Sequence, residues 1–234
     1  MDTPAIGVAM NALHDDVWLT GMLGYRAVRV EAPDAIASVA GRVFAYAKVA
    51  ATDVARVHAL ESEGFRLVDT NVQLEKARGI GTIRAQAEFR HARAEDEDAV
   101  ARLAGEGFEW SRFHLDPHFT PEQAARIKAE WTRNYFRGKR GQAMIVAEVD
   151  GAIAGFNQLL KMGETLTIDL IAVEARYRRR GIAAGLIAFA EHEHGEVTTI
   201  RVGTQLANTV SLRLYESLGF RVVSAQYVLH YHRT

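Results

Sequence analysis

Twice in its C-terminal half the chain switches from a strand pattern to a helical one. Thr165 to Val173 reads TLTIDLIAV, and beyond it Ile182, Leu186 and Phe189 recur at i, i+4 and i+7, which exchanges β-rich sequence for one face of a helix. Val197 to Thr204 (VTTIRVGT) is again strand-like. Asn208, Leu212 and Tyr215 then repeat the helical spacing before Gly219, a C-cap position. Strands that alternate with helices in this way call for an α/β architecture, with helices layered on a sheet.

The first switch passes through Arg176, Arg178, Arg179 and Arg180 into Gly181-Ile182-Ala183. A helix N-terminus offers unpaired N–H groups and partial positive charge, so it binds phosphates. Gly181 and Ala183 keep the backbone approachable, and guanidinium forks match phosphate oxygens. The plainer alternative is a capped helix after a solvated basic turn. At the second switch, Asn208 is a candidate N-cap, and an amide and a phenol two turns apart point the same way. The alternative there is a capping Asn and a half-buried Tyr. Taken alone, the residues leave both pairs of readings open.

Composition narrows the class. The chain has 234 residues, 48% of them apolar, enough for a real core in one large or two small domains. With no cysteine, there is no disulfide framework, cysteine metal site or cysteine acyl-enzyme. The net charge of −1 argues against general nucleic-acid binding. No apolar run approaches the roughly 18 residues of a membrane span, and the N-terminus lacks the basic-then-apolar pattern of a signal peptide. A cytoplasmic location is therefore expected, with no membrane partner. His192 with His194, and His230 with His232, lack the i, i+4 spacing of helical metal ligands, so no metal is expected.

Gly79-Ile80-Gly81 reads as a linker between an N-terminal region, 1–80, and a region from 85 to 234. The two regions share an echo. Leu60 to Leu74 aligns without gaps on Tyr215 to Leu229, with Glu61, Ser62, Gly64, Phe65, Arg66, Val68 and Leu74 matching Glu216, Ser217, Gly219, Phe220, Arg221, Val223 and Leu229. At the same shift a strand-like Arg42 to Val49 stands opposite Val197 to Thr204. Asp53 stands where Asn208 does and Leu60 where Tyr215 does, and no arginine–glycine turn precedes the first copy.

In the C-terminal region a strand is expected over 86–92, a helix over 95–105 and an irregular segment over 107–120. A helix with Thr120 as N-cap and Pro121 at N1 runs to Phe136. Strands follow at 142–149, 152–161 and 165–173, the first two joined by a tight Asp150-Gly151 hairpin. A helix over 181–193, a strand over 197–204, a helix over 207–217 and strands at 220–223 and 226–232 complete a mixed, mostly antiparallel sheet flanked by helices.

Residues 85–234 resemble the GNAT superfamily of N-acetyltransferases. Arg178, Gly181 and Ala183 fit its R/Q-x-x-G-x-G/A turn. Asn208, Ser211, Tyr215, Gly219 and Phe220 fit its N-x-x-[SA]-x-x-x-Y-x-x-x-G-F segment. Ser111-Arg112-Phe113, Trp131, Asn134, Arg137-Gly138, Thr199 to Gln205, Trp18 to Gly24 and Gly64 to Thr70 are similar to the bacterial dTDP-fucosamine acetyltransferases, with Met22-Leu23-Gly24 departing from Phe-Phe-Gly. The resemblance implies a GNAT fold preceded by a smaller, truncated, non-catalytic GNAT-like subdomain. It also implies acetyl-CoA as co-substrate and direct transfer to the amine of a nucleotide-linked amino sugar.

The site residues follow from the same resemblance. Ile171, Ala172 and Val173 would meet the pantetheine arm, with the Ile171 N–H as oxyanion donor. Arg178, Arg179, Arg180, Gly181, Ile182 and Ala183 would hold the pyrophosphate, and Asn208 and Ser211 the arm. Tyr215 would protonate the leaving thiolate. Asp169 is the candidate base, because a carboxylate in an apolar strand is unusual; pairing with an arginine, or a water-mediated route, are the alternatives. Arg112, His114, Asp116 and Arg137 are candidate acceptor-binding residues around the second helix, where a pyrophosphate-bearing acceptor would meet cations; dipole compensation at the helix end is the other reading. A homodimer is an allowed assembly. Two other functions compete: acetylation of a protein N-terminus, an amino acid or an aminoglycoside, and non-catalytic acyl-CoA binding.

Overall fold

The computed structural model describes residues 12–79, 81, 82 and 85–234. The first eleven residues, where a leader pattern was sought, and Ile80 of the glycine motif lie outside the described residues. Two compact units are present. Unit 1 runs to Asp69 and takes in Gln226–Thr234, whereas unit 2 is Thr70–Ala225. The division expected between 80 and 85 thus falls earlier, and the last nine residues belong with the N-terminal unit.

Unit 1 holds strands β1 (Leu13–Asp15), β2 (Arg26–Val30) and β3 (Val43–Ala50), helices α1 (Val17–Leu23) and α2 (Val54–Ser62), and a 3-10 turn over Pro33–Ser38. β1 pairs antiparallel with β2, and β2 runs parallel to β3. The fourth strand is the end of β10 (Arg221–Arg233), antiparallel to β3 from Gln226↔Ala50 to Arg233↔Val43. Val43, Ala45, Ala47 and Val49 alternate into a core with Leu60, Phe65 and Leu229, as the period of 2 requires. The two strands expected at 220–223 and 226–232 are one continuous strand.

In unit 2 the order is β4 (Arg66–Ala77, entering from unit 1), β9 (Thr199–Gln205), β8 (Thr165–Val173), β7 (Ala152–Met162), β6 (Ala143–Val149) and β5 (Glu88–His91). Only β8 and β9 are parallel; the other neighbours here are antiparallel. α3 (Glu97–Gly107) and α4 (Pro121–Phe136) cover one face, and α5 (Ile182–Glu193) and α6 (Thr209–Ser217) the other. α4 begins at a capping box of Thr120 and Gln123 with Pro121 in its first turn, the start signal read from sequence. Asp150 and Gly151 both have positive φ, 53° and 77°, as a two-residue primed turn needs.

The echo has a structural counterpart. Asp53 caps α2 through a hydrogen bond from the Arg56 N–H at 3.1 Å, and Asn208 caps α6 through one from the Ser211 N–H, also at 3.1 Å. Both helices have nine residues. Gly64 and Gly219 end them at φ 93° and 89°. The strands agree as well: β4 pairs with β9 from Asn71↔Gln205 to Ala77↔Thr199, and adding 155 to one strand and subtracting it from the other gives Gln226↔Ala50 to His232↔Phe44, the register of β10 with β3.

Candidate active site

The site is built around a break in the regularity of β8. Leu159 aligns with Ile168 and Gln158 with Leu170, so Asp169 is the extra residue of a β-bulge. Plain alternation would place Leu166, Ile168, Leu170 and Ala172 on one face. The bulge divides them: Leu166 and Ile168 join the core beneath α5, as do Ile171 and Val173, while Leu170 and Ala172 join the core beneath α3. With this extra residue Asp169 meets Trp131 of α4 on the side where Leu170 joins the core beneath α3.

The bulge also marks where β8 and β9 part. Their parallel pairing covers Thr165↔Thr199 to Ile168↔Val202 and goes no further, although both strands continue. The Glu174 N–H donates to the Ala154 carbonyl at 2.9 Å. In an antiparallel ladder the bonded pairs alternate, so the peptide groups of Ile171 and Val173 face away from β7, into the opening. Arg178 agrees, its Nε donating to the Val173 carbonyl at 3.1 Å.

After β8 comes a 3-10 turn, Ala175–Tyr177, and then the basic turn. Arg176 and Arg180 stack on Tyr177 at 4.7 and 5.4 Å from the ring centre. Arg179 is exposed at φ 65° and Gly181 has φ 79°, the left-handed region that favours glycine. Gly181 is the N-cap of α5 and no side chain among the described residues caps the helix, so the N–H groups of its first turn can meet an anion. Ile182 is buried and Ala183 half-buried. A cavity of about 240 Å³ lies beside this turn, between Leu103, Glu106 and Gly107 of α3 and Val173, Glu174 and Arg178.

Tyr215 is 3% exposed and packs edge-on against Phe220 at 5.5 Å. Burial raises its phenol well above the ordinary value, so it stays protonated across the neutral range. Asn208 commits Oδ1 to the α6 cap, where the Ser211 N–H is the donor; both residues therefore set the helix start that orients Tyr215.

Asp169 is held rather than open. Arg140 donates Nε and Nη2 to its two oxygens at 2.6 Å each, and Trp131 Nε1 and Gln158 Nε2 donate at 3.0 Å. Its side chain is 8% exposed and that of Arg140 36%. Both carboxylate oxygens are thus taken up by donors, the arginine pair that the sequence left open as the alternative to a base. The Trp131 ring carries Arg140 at 4.6 Å and Lys128 at 5.2 Å.

The acceptor candidates divide. In the loop before α4, His114 Nδ1 lies 2.6 Å from Ser111 Oγ, and Arg112 stacks on Phe113 at 4.6 Å. Burial first, then the charge of Lys128, hold the His114 imidazole below its ordinary value, against an opposing effect of Glu109. Asp116 is buried and accepts the His118 N–H at 2.9 Å, a loop-shaping bond. Arg137, at the far end of α4, pairs with Glu130 at 2.8 Å. Sequence reasoning overlooked Asn157 and Gln158, both fully buried on β7. The signal was there: two adjacent amides inside the apolar run GFNQLL. No helix among the described residues is long and apolar enough to cross a membrane.

A bulged central strand, an open strand pair and a helix N-terminus beside it thus lie together in unit 2. Residues 106–220 match the model of the acetyltransferase (GNAT) family. The dTDP-fucosamine acetyltransferase of Escherichia coli is 33% identical over 193 residues, covering 79% of this chain and 80% of that protein. Spore coat polysaccharide biosynthesis protein SpsD of Bacillus subtilis is 36% identical over 137 residues, covering 58% of this chain and 47% of that protein, about half the relative's length. A solved GCN5-related N-acetyltransferase from Sphaerobacter thermophilus shares the fold, with a TM-score of 0.58 at 18% identity, over 82% of this chain and 60% of that one. This chain belongs to the GNAT acetyltransferase family.

Proposed function

We propose that this protein is an N-acetyltransferase that moves the acetyl group of acetyl-CoA directly to the amine of a nucleotide-linked amino sugar, of the dTDP-4-amino-4,6-dideoxyhexose type. The observation that carries the cofactor half is the opening at Asp169, where the Ile171 and Val173 peptide groups point away from β7 beside the Gly181 turn. The acceptor half is supported by the name of the Escherichia coli relative and its coverage.

Each residue then has a task. The first turn of α5, with Arg178, Arg179 and Arg180, binds the pyrophosphate. The Ile171 N–H stabilises the oxyanion, and Ala172 and Val173 continue the wall along the arm. Tyr215, kept protonated by burial, supplies the proton for the departing thiolate. The amine proton leaves through water, since Asp169 is engaged with Arg140. Arg112, His114 and the Trp131–Arg140 surface form the acceptor side, with Asp116 shaping the loop. Unit 1 is read as a second, truncated copy of the scaffold without catalytic function: Leu60 replaces Tyr215, and no arginine–glycine turn precedes it.

The test is release of free CoA from acetyl-CoA against dTDP-amino sugars, polyamines and peptides. Turnover with a dTDP-4-amino sugar at least tenfold above the other amines is expected. Preference for a peptide or polyamine would refute the acceptor assignment and leave the cofactor assignment standing.

A further inference from the structure

Asn157 is 0% exposed, and neither its Nδ2 nor its Oδ1 has a hydrogen-bond partner among the described residues. Its neighbour Gln158 faces the other way and donates Nε2 to Asp169. Leaving a buried polar group unpaired costs about 1–3 kcal/mol, so a leucine of similar size would suit folding better here. A native group in that condition calls for a reason outside folding.

Its position supplies one. The β7–β8 register sets Asn157 directly opposite Ile171, the residue whose peptide group faces the opening. Gly155, two positions earlier, faces α5: a methyl group there would meet Ile182 Cγ2 at 3.3 Å. Alternation by twos puts Asn157 on the same face, and Leu159, two positions later, lies in the core under α5. The Gly181 turn starts α5, so an arm anchored there and running toward Ile171 passes along the face that carries Asn157. A carboxamide has both a donor and an acceptor. The acyl-thioester end of the arm offers their complements, a carbonyl oxygen that accepts and a nearby amide N–H that donates.

We propose that Asn157 grips the acyl-thioester end of acetyl-CoA, its Nδ2 donating to the acyl oxygen beside the Ile171 N–H and its Oδ1 accepting the adjacent amide N–H of the arm. No covalent bond to Asn157 forms or breaks, and no proton is transferred to or from it. This rests on the acetyl-CoA half of the proposed function and is independent of the acceptor.

The test compares wild type with Asn157→Leu in the full chain, by calorimetric titration with acetyl-CoA and with CoA and by thermal unfolding. The expected result is a Tm equal to or above wild type, acetyl-CoA binding weakened at least tenfold, and loss of any preference for acetyl-CoA over CoA. Wild-type affinity in Asn157→Leu, or a Tm lowered by several degrees, overturns the proposal; the second outcome would make the carboxamide a structural group. Should the variant not fold, the side-chain amide resonances of Asn157 in the wild type decide. They shift more with acetyl-CoA than with CoA, and resonances unmoved at saturation overturn the assignment. A wild-type chain that binds no acetyl-CoA removes the cofactor reading and this proposal together, whereas wild-type binding with an indifferent Asn157→Leu removes this proposal alone.

Discussion

Tyr215 and His114 show how burial sets the chemistry of single side chains. Tyr215→Phe keeps the ring against Phe220 and removes only the proton, so kcat should fall about 10²–10⁴-fold with acetyl-CoA affinity little changed; near-normal kcat would rule out the acid role. The His114 imidazole titrates below its unfolded value of 6.5. As pH drops below that value, the unfolded chain takes up the proton first, so the folded state loses stability on acidification and regains it above. Tm should therefore decline between pH 7 and 5, and His114→Gln should flatten the decline; an equal slope in both proteins would remove His114 as its source. Removing charge from a bonded ion pair typically costs about 1–3 kcal/mol, so Asp169→Asn should lower stability by that amount while leaving the pH profile of kcat in place. A profile that loses its acidic limb would restore Asp169 as the base. Sequence singled out Tyr215 and the arginines through motif spacing. It did not disclose the tether on Asp169, because Arg140 and Trp131 reach it from 29 and 38 positions away.

At the level of elements, most strands and helices were readable from period and caps. The Thr120-Pro121 start and the Asp150-Gly151 turn are local signals, and both stand where the sequence put them. The bulge was not readable: Thr165 to Val173 alternates cleanly on paper, and only the pairing with β7 shows that one residue is extra. The seat of α5 was equally hidden. A methyl group on Gly185 would lie 3.0 Å from Phe89 Cε1 and closer still to Cζ, so the Phe89 ring of β5 packs directly against the helix backbone. Gly185→Ala should destabilise by about 1–3 kcal/mol through overpacking, despite the better helix propensity of alanine, and Phe89→Leu in the same chain should recover most of the loss. A Tm raised by Gly185→Ala alone would contradict this packing.

Across the whole molecule, the repeated segment near residues 60–74 and 215–229 could be seen in sequence, but its consequence for strand pairing could not. Each copy of the helix–Gly–Phe–strand segment feeds a strand into the sheet that carries the other copy's helix-preceding strand, in the same register. Nothing local encodes that choice, since β4 and β10 have similar patterns. Ending the chain after Ala225 would strip Leu229 from the unit 1 core and leave β3 without the pairing it makes with β10. Limited proteolysis should then cut within 12–69 while 70–225 stays protected; equal protection of both segments would show that unit 1 closes without its last strand. The same pairing imposes an order in time. Residues 43–50 are made well before their partner at 226–233, and so long a loop closes slowly. During synthesis β3 must wait, with an unpaired strand edge, until residues 226–233 have been made.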